Sequence, residues 1–340
     1  MLLRGALALV AFVVACALLE GVLRLGLVDN PQYLRQQIQG KTEGATHRLL
    51  ILGDSFMVKH SLLGELLAGE LGDLGVAVSN VAIGGSGPFE YIAELKAHAE
   101  TVKPDVVLLA YYAGNDLTNV QNHPRFQASN STDGPTGLSI DSNSSRPFFR
   151  HSYLYHFILS RWRRLSMATF DYEDLTEAGI QSDLIEAAKK HEINPWLLKL
   201  RAHEPNHLLD NILMETEGNM GAWAKTRELL TEVHEFCQDN GSQLLMVIFP
   251  RSIQVNRSHF GFYQRIGFNL DERTLETSKP QALLRQLCDE RNIPCLDILP
   301  ILRARKDEEF YRLRDDHLNE RGNRLAQELI LEHLIENTGF

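Results

Sequence analysis

Cysteine is scarce in this chain, four in 340 residues, and no two of them are spaced Cys-x-x-Cys. That excludes a disulfide-dense scaffold and a zinc ribbon. The histidines show no His-Glu-x-x-His or comparable ligand spacing, so no metal is expected. Basic residues are also in deficit, 34 against 44 acidic, for a net charge of −10 with neutral histidines. A duplex-DNA binder usually carries a basic footprint, so no nucleic-acid partner is expected. Long apolar runs are missing except at the N-terminus. What remains is an ordinary globular composition, 44% hydrophobic and 23% charged, with enough length for a large α/β domain and a sizeable core.

The exceptional run is GALALVAFVVACALL, 15 residues at positions 5–19. As a helix it reaches ~23 Å, short of the ~30 Å hydrocarbon core, whereas extension to Leu23 gives roughly 28 Å. Glu20 and Arg24 then stand i,i+4 near the interface. Ala15-Cys16-Ala17 resembles a cleavage site and Val13-Val14-Ala15-Cys16 a lipoprotein box. The chain stays apolar beyond both, which favours a retained signal-anchor over residues 1–28. A polar linker follows at 29–46. The expected placement is a single pass in the cytoplasmic (inner) membrane, with the remaining chain periplasmic or extracellular. Arginines flank both sides of the run, so orientation stays open.

Beyond the linker, short apolar runs at 49–52, 76–82, 105–110, 243–249 and 295–298 read as buried parallel strands. They alternate with helical patterns at 61–71, 89–102, 222–240, 281–291 and 319–334. This rhythm predicts a three-layer α/β/α sandwich around a parallel sheet of about five strands, flavodoxin-like in type. Residues 117–220 lack strand signal and read as a mainly helical insertion within a domain over 47–340. Ligands bind outside the carboxyl ends of such strands, here 53–55, 83–87, 111–116 and 250–254.

Three sets of residues at such positions, and a fourth before the last helix, carry chemistry. Gly53-Asp54-Ser55 follows the first strand directly, and Ser55 is expected in the strand-to-helix turn with its amide at a helix N-terminus. A serine there can be a nucleophile, or it can merely cap the next helix. Asn80-Val81-Ala82-Ile83-Gly84-Gly85 follows the second strand, where a glycine lets a backbone N–H approach an oxyanion. Gly114-Asn115-Asp116 follows the third strand and offers an asparagine amide. Asp315-Asp316-His317 precedes the last helix. A histidine there serves as general base, with an aspartate fixing its tautomer.

These blocks, in this order, resemble the SGNH (GDSL-type) hydrolase superfamily. The resemblance implies Ser55 as nucleophile, Gly85 and Asn115 as oxyanion donors with the Ser55 amide, and His317 as base, without cofactor. Phe56 stands where the tetrapeptide of the family's name has leucine, a variable position of little expected consequence. The usual Asp-x-x-His is also broken, since Arg314 precedes His317 by three residues. Asp315 gives Asp-x-His, a spacing similar to that of membrane-associated bacterial members, including the alginate O-acetyltransferase group. Asp316 is the alternative partner of the histidine.

Other polar residues read as structural. Asp54 and Asp116 are expected to support their loops, and His60 to lie on the surface. Arg161, Arg163 and Arg164 form a solvated helix face or a contact for anionic lipid or glycan. Cys288 and Cys295 are either a disulfide or reduced core thiols. The expected protein is a membrane-anchored serine esterase acting on a small-molecule or polymeric O-acyl ester, with a carbohydrate or cell-envelope polymer as the expected carrier. An O-acyltransferase using the same serine is the first alternative, and a non-catalytic polymer-binding module the second. Oligomeric state is not legible.

Overall fold

The computed structural model describes residues 15–16, 18–23, 45–59, 61–130, 170 and 172–340. The chain divides into two compact units, one of Met1–Gly44 with Asp133–Asp171, the other of Ala45–Thr132 with Tyr172–Phe340. The second unit contains every strand among the described residues: β1 (His47–Gly53), β2 (Val76–Asn80), β3 (Val106–Tyr112), β4 (Gln243–Phe249) and β5 (Cys295–Asp297). All neighbours are parallel, in the order β2-β1-β3-β4-β5.

The strands are apolar at nearly every position because both sheet faces are covered. In β1, Leu49 and Ile51 point to one face, where Leu63, Leu67 and Leu71 of the Leu62–Asp73 helix join Ala326, Ile330 and Leu334 of the Glu320–Thr338 helix. The Pro88–Val102 helix lies against β1, the Glu217–Asp239 helix lies against β4, and these two helices pack on each other. Leu50 and Leu52 are equally buried, as side chains pointing alternately to opposite faces require. Each such leucine or isoleucine contributes about 1.5–3 kcal/mol of transfer free energy.

All five expected strands are present, and β2 ends earlier than expected, at Asn80 rather than at 82. Val81 and Ile83 still donate to Ile51 and Gly53 carbonyls, so the chain leaves the sheet gradually. The insertion is helical in its described residues, with helices such as Tyr172–Glu177, Ser182–Lys189, Pro195–His203 and His207–Ile212 and no strand. The helix that follows it, Glu217–Asp239, starts five residues before the expected 222 because Thr216 and Asn219 form a capping box.

The expected anchor over 1–28 falls mainly outside the described residues. Residues 15–16 and 18–23 are helical. No helix among the described residues is long and apolar enough to cross a membrane. His60, Arg161, Arg163 and Arg164 also lie outside the described residues. Cys237, Cys288 and Cys295 are free thiols.

The order reverses at β1: the chain steps from β1 to β2 on one side, then crosses back over β1 to reach β3 on the other. In an open parallel sheet this reversal opens a crevice at the carboxyl ends of β1 and β3. Both Gly53-Asp54-Ser55 and Gly114-Asn115-Asp116 emerge there.

Candidate active site

Ser55 follows β1, but not at a helix N-terminus as expected. Residues 54–57 make a turn instead, closed by Met57 N–H donating to Asp54 O (3.1 Å) and Phe56 N–H donating to Asp54 Oδ1 (3.1 Å). The helix begins only at Leu62, with Ser61 as its cap, accepting from Gly64 N–H. A second turn, closed by Ser61 N–H donating to Val58 O (2.7 Å), separates this one from the helix. Ser55 is therefore no helix cap.

The Ser55 hydroxyl donates to Asp54 Oδ2 at 3.4 Å, and the Asn115 amide donates to the same oxygen at 3.4 Å. Asp54 thus joins the first and third blocks directly, a closer involvement than the loop support expected of it. Its carboxyl is 1% exposed. Burial outweighs the donors around it and the field of His317, pushing its pKa up to about 6. Asp116 does support its turn, accepting from the Tyr91 hydroxyl (2.9 Å) and Tyr112 N–H (3.1 Å). Burial, reinforced by the Asp54 charge, pushes its carboxyl well above the ordinary range.

The second block lies against the first. A Cβ on Gly84 would stand 3.8 Å from Ser55 Cβ. Gly85 adopts φ +73°, which only glycine takes without strain, and a Cβ there would meet nothing within 4 Å. Its peptide is held by Asn119, which donates to Ser86 O at 2.9 Å and more loosely to Gly85 O. The glycine of the third block has another cause: a Cβ on Gly114 would overlap the Tyr112 ring.

Between the two candidate partners of His317, geometry separates neighbours. Asp315 Oδ1 accepts from His317 Nδ1 at 2.8 Å. Asp316 points into the protein, ion-paired with Arg251 and accepting from the Tyr263 hydroxyl and Ser252 Oγ. Burial opposes charge on Asp315, but the His317 bond and field outweigh it and hold the carboxyl at about 2. Burial likewise opposes an imidazolium, yet the bond to Asp315 raises His317 above the usual 6.5. His317 Nε2 makes no hydrogen bond among the described residues.

Ser55, Asp315 and His317 line one half-open cleft of about 350 Å³, with Phe56, Val58, Leu62 and Leu318 as apolar wall and Arg312 at its rim. A larger hollow of about 430 Å³ lies over Arg305, Arg321 and Arg324. Those arginines are ion-paired with Glu308 and Glu320, and no serine, cysteine or histidine lines it. The Phe56 ring lies 5.5 Å from the imidazole and 4.5 Å from the Tyr112 ring.

Two supporting residues have no place in the four blocks. Gly114 O accepts from Arg251 Nη1 (2.5 Å) and from His207 Nε2 (3.0 Å), so the latter nitrogen carries the proton. Both donors hold the turn that presents Asn115. Arg251 had a signal, standing directly after β4 and Pro250 at a strand carboxyl end. His207, 93 residues from Gly114, had none.

The sequence matches no protein-family model and no curated protein. Solved structures similar to it include the acetyl xylan esterase AlAXEase, at 14% identity and TM-score 0.43, over 85% of this chain and 100% of that one. A lipase/acylhydrolase from Enterococcus faecalis gives 12% and 0.41, over 85% and 95%. A putative lipolytic protein of the G-D-S-L family from Desulfitobacterium hafniense gives 10% and 0.42, over 85% and 100%. At such identities and scores the likeness extends no further than the α/β architecture, which the strand order establishes by itself.

Proposed function

We propose that the protein is a serine ester hydrolase of SGNH type. The observation that supports this best is a single cleft holding Ser55 beside a hydrogen-bonded Asp315–His317 pair. Asn115 is tethered to the same Asp54 oxygen as the serine. In this reading the Ser55 hydroxyl turns from Asp54 to His317 Nε2, which takes its proton as Oγ attacks the ester carbonyl. Asp315 stabilises the imidazolium and fixes the tautomer. The Ser55 and Gly85 amides and the Asn115 side chain hold the oxyanion, each such donor contributing ~2.7–4 kcal/mol to the transition state. His317 then protonates the departing alkoxide, and water, deprotonated by the same imidazole, releases the acid. The substrate class is an O-acyl ester of a carbohydrate or cell-envelope polymer.

The test is covalent. A fluorophosphonate should label the folded protein on the Ser55 peptide, read by mass spectrometry, and a radiolabelled acyl donor should yield free acid. Acylated sugar as the main product would make the enzyme an O-acyltransferase. A folded protein that never labels would remove the nucleophile altogether.

The base must be neutral to act. The rate constant kcat/KM should therefore rise with pH, with a midpoint above the 6.5 of an ordinary histidine. A rate profile flat between about pH 5.5 and 8.5 would contradict His317 as base.

We further propose that residues 5–23 anchor the chain in the inner membrane, with the catalytic unit periplasmic or extracellular. The support is the length and hydropathy of the run. Extraction by detergent, but not by alkaline carbonate, is the expected behaviour of the membrane fraction.

A further inference from the structure

Asp315 lies on a short loop. Asp315 N–H donates to Arg312 O (3.2 Å) and Arg312 N–H to His317 O (3.0 Å), but neither bond orients the carboxylate. That orientation comes from the insertion. Asn194 caps the Pro195–His203 helix, its Oδ1 accepting from Trp196 N–H at 3.0 Å. With its oxygen committed to the cap, the amide nitrogen faces the other way and donates to Asp315 Oδ1 at 3.2 Å. The Asn194 backbone N–H also donates to Arg314 O at 3.3 Å, and Glu192 stands 3.7 Å from Arg314. The segment thus grips the Asp315 loop by backbone and side chain together.

Asp315 Oδ1 therefore receives two donors, His317 Nδ1 and Asn194 Nδ2. Among the described residues the other oxygen meets only Arg312, at 3.5 Å and with its side chain 61% exposed, a contact that solvent screens. We propose that Asn194 is a positioning residue, holding the Asp315 carboxylate in the plane and at the distance that His317 needs. The mainly helical insertion then completes the catalytic constellation. This deepens the ester-hydrolase reading and rests on it for its kinetic consequence, though not for its spectroscopic one.

Substitutions can separate the two jobs of this side chain. Asn194→Ser keeps a capping oxygen for the helix but removes the donor to Asp315. Asn194→Asp keeps the cap and puts a second anion against the carboxylate. Misplacing a reacting group by about 1 Å can cost ~10²-fold. A loosened partner of the base should cost about 10-fold in kcat, with KM within about twofold and Tm nearly unchanged. Less neutralised by donors, Asp315 should hold the imidazolium more firmly. The acid limb of kcat/KM should move to higher pH in Asn194→Ser, and further in Asn194→Asp. Asp54, Asp316 and Arg312 also act on this pair and are unaltered in both variants.

His317 can also be titrated by NMR in full-length protein carrying Ser55→Ala, where no turnover is needed. The same upward order, parent below Asn194→Ser below Asn194→Asp, is expected. An unchanged His317 titration in both variants overturns the proposal, as does an Asn194→Ser enzyme with parental kcat. A loss of kcat that tracks a fall in Tm, with the titration unmoved, reduces Asn194 to a helix cap and overturns it as well. Failure of fluorophosphonate labelling would sink the hydrolase reading alone, because the NMR order does not depend on it.

Discussion

Ser55→Ala should lower kcat toward an acetyl ester by roughly 10⁴–10⁶-fold, leaving only what the oxyanion donors and substrate binding provide. The substitution removes the attacking oxygen and nothing that the turn needs. Phe56 and Met57 amides are held by Asp54 and not by the serine hydroxyl, so thermal unfolding should be close to the parent's. His317→Ala should cost a similar factor, and the double variant little more, because nucleophile and base act as one unit. Steady-state hydrolysis with a chromogenic acetate, run beside fluorophosphonate labelling of each variant, measures all three. A Ser55→Ala enzyme retaining more than about a tenth of parental kcat would mean that another group carries the reaction.

Arg251→Met should be the most destabilising substitution near the site. The guanidinium is 1% exposed, ion-paired with Asp316, stacked 5.4 Å from the Tyr263 ring and bonded to Gly114 O. Removing it leaves the Asp316 carboxylate, itself 12% exposed, without its cation. Breaking one side of a buried pair costs about 3–5 kcal/mol. At ~2–4 °C per kcal/mol for a domain of this size, Tm should fall by about 10 °C. The variant Arg251→Met/Asp316→Leu removes both charges and should recover much of that loss, since well-packed apolar side chains often replace a buried pair without penalty. Activity should not recover in parallel, because Gly114 O keeps only His207 Nε2 of its two donors and the Asn115 turn stays loosened. Urea unfolding of the parent and both variants gives the comparison. Additive losses in the double variant would show that Arg251 and Asp316 do not act as a pair.

Legibility divided along physical lines. The five strands could be found because a parallel strand covered on both faces needs an unbroken apolar run, as in Leu49-Leu50-Ile51-Leu52 or Leu244-Leu245-Met246-Val247. The expectation of a helix N-terminus at Ser55 failed because two successive turns, closed at Asp54 O and at Val58 O, come before the helix that Ser61 caps. The ring contacts of Phe56 with Tyr112, Phe249 and His317 were not legible, because all three partners are distant in the chain.

Local pattern was enough to fix the layers, the order of the chemistry-bearing blocks and the strand ends from which they emerge, since burial periodicity and turn residues are short-range properties. Which of two adjacent aspartates meets the imidazole was decided only by folding. Consecutive side chains here point opposite ways, and what waits on each side, Asn194 for Asp315 and Arg251 for Asp316, comes from segments 121 and 65 positions away. Contacts across such separations depend on how helices and strands stack, and no short window of sequence carries that information.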